Sequence, residues 1–202
     1  MRADRSAATG LDVSRLARSF PRMWSAESRD VARTRSLGRA LARVATPGTV
    51  LALTGDLGAG KTAFVQGIGE GLAVEGPVVS PTFVLVAEHA GRLPLLHADL
   101  YRLEPAELPG LGLEEALERW EGVAAVEWSE RAPEIFPADH LRVEIAVLDE
   151  NRRRFTLTAG GPRHLPLLDH LVSGPPVATG GLPPPVPPAP PGSGESPPPP
   201  SA

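Results

Sequence analysis

Cysteine is absent from this sequence and lysine occurs once, as Lys61, so all the other strongly basic side chains are arginines. The lack of cysteine excludes disulfide bonds, thiolate metal sites and a cysteine nucleophile, and it is compatible with a reducing cytoplasm. The lack of a second lysine excludes the Asn-Lys-x-Asp motif with which GTPases read guanine. No apolar run approaches the length needed to cross a bilayer, so we expect no membrane contact.

The two ends differ in composition from the middle of the chain. Residues 1–28 are rich in Arg, Ser and Ala, and we interpret them as a disordered extension, or as the product of an upstream start codon if Met23 is the true start. Asp4 and Asp12 argue against an organelle-targeting peptide. The net charge of −4 does not favour a protein that binds nucleic acid unaided.

Proline dominates the other end from about residue 174, with Gly and Ser filling in. Such a stretch cannot bury enough apolar surface to order itself, so we predict a disordered tail within a C-terminal segment at 164–202. Its proline triplets could alternatively dock on an aromatic groove. The predicted folded domain is residues 29–163.

Residues 55–62 read Gly-Asp-Leu-Gly-Ala-Gly-Lys-Thr, which has the spacing of a phosphate-binding loop. The apolar run at 49–54 predicts a buried parallel strand before it. A helix is predicted after it, with apolar residues at helical spacing at Phe64, Val65, Ile68 and Leu72. Strand, loop and helix follow in the order that this motif needs.

The chemistry of such a loop depends on its backbone. Glycines allow the N–H groups of residues 57–62 to converge on phosphate oxygens at the positive end of the helix dipole. The ammonium of Lys61 would reach the β- and γ-phosphates, where a planar guanidinium cannot substitute, and the hydroxyl of Thr62 would ligate magnesium.

Helices and strands alternate through the middle of the chain, with hairpin signals at its later part. This predicts an α/β fold, a P-loop NTPase-like mixed sheet that has a parallel core and antiparallel hairpins and is flanked by helices. Apart from the strand and helix on either side of the loop, the predicted elements are a helix at 29–44, strands at 83–87, 93–99, 123–128, 141–148 and 153–158, and helical structure at 104–120.

A phosphate loop needs a second acidic group for magnesium, usually at the carboxyl end of a neighbouring buried strand. Glu127 occupies that position, although a polar residue where a strand emerges into solvent is also ordinary. Asp56 competes with it, but its side chain fits a hydrogen bond to the turn backbone better.

Four further residues are candidates for the site. Thr82, in Ser-Pro-Thr-Phe, could sense the γ-phosphate, or could simply open a strand. Asp99 could orient the attacking water, or could cap a turn. His97 fits a packed strand residue better than a catalytic one, and Trp128 could belong to the core or stack against a ligand.

Five motifs in register resemble the TsaE family, also called YjeE. They are Gly-Asp-Leu-Gly-Ala-Gly-Lys-Thr, Ser-Pro-Thr-Phe, His-x-Asp-Leu-Tyr-Arg-Leu, Leu-Gly-Leu-Glu-Glu and Glu-Trp-Ser-Glu, and they span about residues 29–160. The family comprises bacterial ATPases of tRNA threonylcarbamoyladenosine synthesis. The resemblance implies a cytoplasmic, magnesium-dependent ATPase that acts with the TsaD and TsaB proteins and meets tRNA only through that complex.

The resemblance also implies roles for single residues. Lys61, Thr82 and Asp99 are implied as catalytic, and Thr62 and Glu127 as magnesium ligands. Ala63 stands where many members have a second threonine, which should matter little because the hydroxyl of Thr62 is already placed. The implied ATP-binding residues are Asp56, Leu57, Gly58, Ala59, Gly60, Lys61, Thr62, Ala63 and Trp128.

Two other functions stay open at the level of sequence. A small-metabolite kinase would need a mobile arginine-rich lid, and the only compact arginine run, at 152–154, lies in a predicted hairpin turn. A non-catalytic, nucleotide-gated adaptor could use the proline tail to bind partners. For an ATPase, the sequence offers no obvious arginine finger, so we expect slow turnover that a partner accelerates. Arg102 and Arg131 are weakly supported candidates for an internal cation.

Overall fold

The computed structural model describes residues 23–104 and 107–173. The expected N-terminal extension up to residue 22 and the proline-rich tail from residue 174 lie outside these ranges, so both stay predictions. Within the described ranges, no helix combines the length and the apolar character that crossing a bilayer requires.

Seven strands from the described residues form one mixed sheet. They are β1 (Met23–Ser28), β2 (Thr49–Thr54), β3 (Val86–His89), β4 (Leu95–Asp99), β5 (Val123–Glu127), β6 (Leu141–Val147) and β7 (Arg153–Ala159). The order across the sheet is β1-β7-β6-β2-β5-β4-β3. The pairs β2–β5, β2–β6 and β4–β5 are parallel, whereas β1–β7, β6–β7 and β3–β4 are antiparallel. The predicted parallel core with antiparallel hairpins is confirmed.

Helices cover both faces of the sheet. They are α1 (Val31–Val44), α2 (Lys61–Gly71), α3 (Leu113–Arg119) and α4 (Leu165–Ser173). One apolar cluster lies between the sheet and α1, α2 and α4, and the other lies under α3 and the loops around it. β5 is therefore buried along its whole length, which is why its sequence is a continuous apolar run rather than an alternating one.

Two glycines allow α1 and α2 to touch through their backbones. A Cβ atom added at Gly38 would lie 2.2 Å from the carbonyl oxygen of Phe64, and one at Gly67 would lie 2.1 Å from that of Arg35. Any larger residue would force the helices apart. This close approach fixes the axis of α2, whose first residue is Lys61.

The folded region extends past the predicted domain limits on both sides. β1 pairs with β7 along its whole length, so the fold begins before the predicted boundary at residue 29. At the other end, the imidazole of His164 accepts a hydrogen bond of 3.3 Å from the backbone N–H of Val50, at the start of β2. Leu167 and Leu168 of α4 then join the main core, beyond the predicted limit at residue 163.

The strand predicted at 83–87 begins later, at Val86. The carbonyl of Pro81 accepts hydrogen bonds from the N–H groups of Val84 and Leu85, and Leu85 adopts a left-handed backbone with φ 66°. A turn therefore occupies the first half of the predicted strand. Phe83 and Val84, which fall within the predicted strand, lie in this turn and are 83% and 71% exposed.

Candidate nucleotide-binding site

The loop between β2 and α2 has the backbone of an anion site. Gly55, Gly58 and Gly60 all have positive φ, at 141°, 76° and 105°. A Cβ atom at Gly55 would also lie 2.5 Å from the carbonyl of Ile145. No side chain caps the first turn of α2, so its N–H groups point outward at the positive end of the helix dipole, where phosphate binds well.

Lys61 lies inside this loop and is only 4% exposed. Its Nζ donates hydrogen bonds of 2.6 Å to the carbonyl of Gly55 and 3.1 Å to that of Asp56. The same Nζ sits 3.5 Å from the centre of the Trp128 ring, a cation–π contact. Burial lowers the pKa of the Lys61 ammonium below its ordinary value, and nearby carboxylates oppose this, namely Glu127, Glu130, Asp99 and Asp56.

Glu127 ends β5 beside the loop, as predicted, and is almost fully buried. Its Oε2 accepts a hydrogen bond of 3.0 Å from the hydroxyl of Thr62. Its Oε1 lies 2.8 Å from Nε2 of His97, on the neighbouring strand. The carboxylate thus joins the first turn of α2 to the centre of the sheet.

The oxygen atoms of Thr62 and Glu127 fit a magnesium ion. Both are hard donors, and Mg²⁺ is usually held by one or two protein oxygens together with phosphate and water. Among the described residues, no group of three or more His, Cys, Asp or Glu side chains could form an all-protein metal cage. With two protein oxygen atoms, the Thr62–Glu127 pair suits a metal ion whose other ligands are phosphate and water.

Asp99 ends β4 directly opposite Glu127 in the parallel register. Its Oδ2 accepts hydrogen bonds of 2.5 Å from the hydroxyl of Ser80 and 2.7 Å from that of Thr82. Its Oδ1 accepts the backbone N–H of Tyr101 at 3.0 Å. The proposed switch threonine and the proposed catalytic carboxylate are therefore in direct contact.

Ser80 was not among the site residues predicted from the sequence. The repeat of hydroxyl residues two positions apart in Ser-Pro-Thr could have indicated that Ser80 and Thr82 face the same partner, because extended residues i and i+2 share a face. Their own oxygen atoms are 2.7 Å apart.

Trp128 follows β5 and completes one wall of the site. Its φ of 59° is unusual for a bulky aromatic residue. The ring packs against Tyr101, with centroids 4.8 Å apart, and against the Lys61 ammonium. Trp128 therefore lines the cleft, and its side chain also packs against the apolar cluster that lies under α3.

A cleft of about 410 Å³ brings most of the predicted residues together. Asp56, Ala59 and Ala63 are in the same loop and helix turn but are not among the residues that line it, and the methyl group of Ala59 packs in the core instead. Arg102 and Tyr101 also line the cleft. The predicted residues along its wall are Leu57, Gly58, Gly60, Lys61, Thr62, Thr82, Asp99, Glu127 and Trp128.

A glycine loop that opens a helix, a buried lysine and two carboxylates at the ends of adjacent parallel strands define a P-loop nucleotide-binding protein. The family model described as threonylcarbamoyl adenosine biosynthesis protein TsaE matches residues 28–155. The chain belongs to the TsaE family, which confirms the resemblance found in the motifs.

Curated proteins that carry the TsaE name are similar to this chain in sequence. The chain is 48% identical over 129 residues to the tRNA threonylcarbamoyladenosine biosynthesis protein TsaE of a Nostoc species, covering 62% of this chain and 79% of the relative. It is 42% identical over 139 residues to the protein of that name from Bacillus subtilis, covering 68% and 87%. The crystal structure of B. subtilis YdiB superimposes with a TM-score of 0.67 at 34% identity, covering 76% of this chain and 96% of that one.

Proposed function

We propose that the protein is a magnesium-dependent ATPase that serves tRNA N6-threonylcarbamoyladenosine modification and uses ATP hydrolysis as a conformational switch. The role in that modification rests on membership of the TsaE family. The hydrolysis proposal rests on one observation. A single cleft collects Lys61, the Thr62–Glu127 pair and the Thr82–Asp99 pair at the mouth of a phosphate loop.

The loop and Lys61 would bind the triphosphate. The N–H groups of the first turn of α2 and the Lys61 ammonium supply positive charge where the β- and γ-phosphates lie. Lys61 is already oriented by its bonds to the carbonyls of Gly55 and Asp56. Little conformational entropy is then lost when it turns to a phosphate oxygen.

Thr62 Oγ1 and Glu127 Oε2, 3.0 Å apart, are the atoms that would hold magnesium. A bound magnesium ion would neutralise charge on the phosphates during transfer.

Asp99 would orient the attacking water and accept its proton. Its Oδ2 is engaged by Ser80 and Thr82, so the two hydroxyl groups must move before that oxygen faces a water molecule. Movement of Thr82 toward the γ-phosphate, together with release of Ser80, would free the carboxylate and reshape the turn at 81–85. Hydrolysis would then return Thr82 to Asp99 and the turn at 81–85 to its first position, as in other nucleotide switches.

The isolated protein should turn over slowly. Arg131 donates to the carbonyl of Leu103, and Arg102 stacks over the ring of Phe83 at 4.6 Å. Arg131 does not line the cleft, and the guanidinium of Arg102, which does, is stacked on Phe83, so we propose that the charge that stabilises the transition state comes from a partner. We propose the TsaD and TsaB proteins as the partners that supply this acceleration, with tRNA bound only through them in the cytoplasm.

ATPase assays of the purified protein, with and without TsaD and TsaB, test the proposal. We expect Lys61→Ala and Glu127→Ala each to lower hydrolysis by about a hundredfold or more, because each removes a charged group from the phosphates or the metal. Arg119→Ala is the matched surface control, since its exposed ion pair with Glu115 lies on α3. Unchanged activity in Lys61→Ala, with a native circular dichroism spectrum, would contradict the proposal.

A further inference from the structure

His97 is a fully buried polar residue in the middle of β4. Its Nε2 lies 2.8 Å from Oε1 of Glu127. Its Nδ1 is buried without a hydrogen-bond partner among the described residues. Leaving a buried nitrogen unpaired costs free energy, and an apolar residue of similar volume would fill this position without that cost.

The register explains how His97 reaches Glu127. β4 and β5 run parallel, with His97 opposite Ala125 and Asp99 opposite Glu127. The small side chain of Ala125 leaves room for the imidazole ring to lean along the sheet toward the strand end. A carboxylate only accepts hydrogen bonds, so the ring nitrogen that faces it must be the donor.

The two oxygens of Glu127 have different partners. Oε1 is taken by His97, and Oε2 lies 3.0 Å from the hydroxyl of Thr62, beside the phosphate loop. A carboxylate that rotates freely about its last bond would present either oxygen to the loop. The hydrogen bond from His97 removes that freedom, because it fixes the plane of the group from the side away from the cleft.

We infer that His97 is a positioning residue, which holds Oε1 of Glu127 so that Oε2 faces the metal–nucleotide complex. This inference rests on the proposed function. His97 does not line the cleft, so it acts through Glu127 rather than on the substrate. Residues that orient a metal ligand from behind typically change metal affinity ten- to a hundredfold when they are replaced.

Two amide variants separate positioning from simple packing. The side-chain nitrogen of Gln can take the place of Nε2, whereas that of Asn can only take the place of Nδ1. Both residues are polar and uncharged, so the two variants differ only in the position of the donor and in side-chain volume, and the effect of volume is followed through the melting temperature. We expect His97→Asn to weaken Mn²⁺ binding in the presence of a non-hydrolysable ATP analogue by about tenfold, and His97→Gln to stay within about twofold of the wild type.

Electron paramagnetic resonance titration of Mn²⁺ measures this affinity directly. Binding of the ATP analogue in EDTA is measured beside it and should match between the two variants, whereas the melting temperature should be lower in His97→Asn because the smaller side chain leaves a cavity. His164→Gln is the control, because His164 is also buried but does not line the cleft. This variant should lower the melting temperature without changing Mn²⁺ affinity.

The outcomes distinguish this inference from the proposed function. Equal Mn²⁺ affinity in His97→Asn, His97→Gln and the wild type would overturn the positioning role while leaving the ATPase proposal standing. A parallel loss of analogue binding in EDTA by both variants would overturn it in favour of packing. Failure of the wild-type protein to bind Mn²⁺ with the analogue would overturn both proposals together.

Discussion

The hydroxyl group of Thr82 donates a hydrogen bond of 2.7 Å to Oδ2 of Asp99, and this bond joins the turn before β3 to the end of β4. Ser80 donates to the same oxygen. A segment held by two hydroxyl groups on one carboxylate can change position when either the carboxylate or a hydroxyl finds another partner. The structure thereby links the residue expected to activate water to the segment expected to move.

Replacing Thr82 by Val keeps the shape of the side chain and removes the hydroxyl group. We expect kcat for ATP hydrolysis to fall by about tenfold or more, with nucleotide affinity nearly unchanged, because the hydroxyl serves the transition state rather than binding. Thr82→Ser should restore most of kcat. Steady-state ATPase assays and calorimetric binding measure the two quantities, and a Val variant with normal kcat would exclude the switch role.

Lys61→Arg tests whether the single lysine of the chain is required. Nζ lies between two carbonyl oxygens and the Trp128 ring, where a planar guanidinium does not fit. We expect a folded protein whose ATPase activity is at least about a hundredfold lower. Full activity together with a normal melting curve would mean that a guanidinium at position 61 serves as well as the ammonium of Lys61.

Gly67→Ala should weaken the contact between α1 and α2, since its Cβ atom would lie 2.1 Å from the carbonyl of Arg35. We expect the free energy of unfolding in urea to fall by about 1–3 kcal/mol. Gly110→Ala is the control, because a Cβ atom there meets nothing within 4 Å. Equal stability of the two variants would show that the helices can separate at little cost.

Asp139 should stabilise the fold in a pH-dependent way. Burial alone would raise the pKa of its carboxyl group, but hydrogen bonds from His164 and from the backbone N–H of Arg163 hold that pKa below its ordinary value of 3.8. The stabilisation is therefore present above pH 3.8 and declines as the pH falls through the lowered pKa. Asn has one acceptor oxygen for these two donors.

We expect Asp139→Asn to cost about 1–3 kcal/mol of unfolding free energy at pH 7 and clearly less near pH 3. Urea unfolding at the two pH values measures the difference. Asp149→Asn is the comparison, because hydrogen bonds from Arg152 and Asn151 lower the pKa of Asp149 to about 2 at a fully exposed turn, where such pairs contribute little. A pH-independent loss in Asp139→Asn would contradict this account.

Deleting residues 174–202 should leave ATP hydrolysis within about twofold of the full chain, because the cleft is lined by residues between 57 and 128 in the described part of the chain. ATPase assays of the shortened chain alone and with TsaD and TsaB measure the effect. Retained hydrolysis with lost partner binding would favour the adaptor role of the proline tail.

The parts of the site that could be predicted are those set by local backbone chemistry. Gly58, Gly60 and Lys61 form their loop through positive φ values and a helix start, which a short motif encodes. Glu127 could be placed because strand ends meet at one edge of a parallel sheet. The two-residue periodicity of β6 and β7 likewise predicted their hairpin, which the register confirms.

The parts that could not be predicted depend on register and long-range pairing. The role of His97 needs the alignment of β4 with β5, which no local pattern encodes. The turn at Pro81 overrides the strand propensity of Phe83 and Val84, because the proline carbonyl accepts two N–H groups that a strand would use. β1 was missed because its apolar residues pack only once β7 lies beside it.

The position of β1 at one edge of the sheet affects how the chain can be shortened. β1 pairs with β7, a strand whose buried side carries Phe155 and Leu157. Removing residues 23–28 would leave the peptide groups of β7 that face away from β6 unpaired next to that apolar surface, and open edges of this kind recruit other chains. A fragment that begins at the motif-defined limit of residue 29 would keep its complete nucleotide cleft and still be prone to self-association.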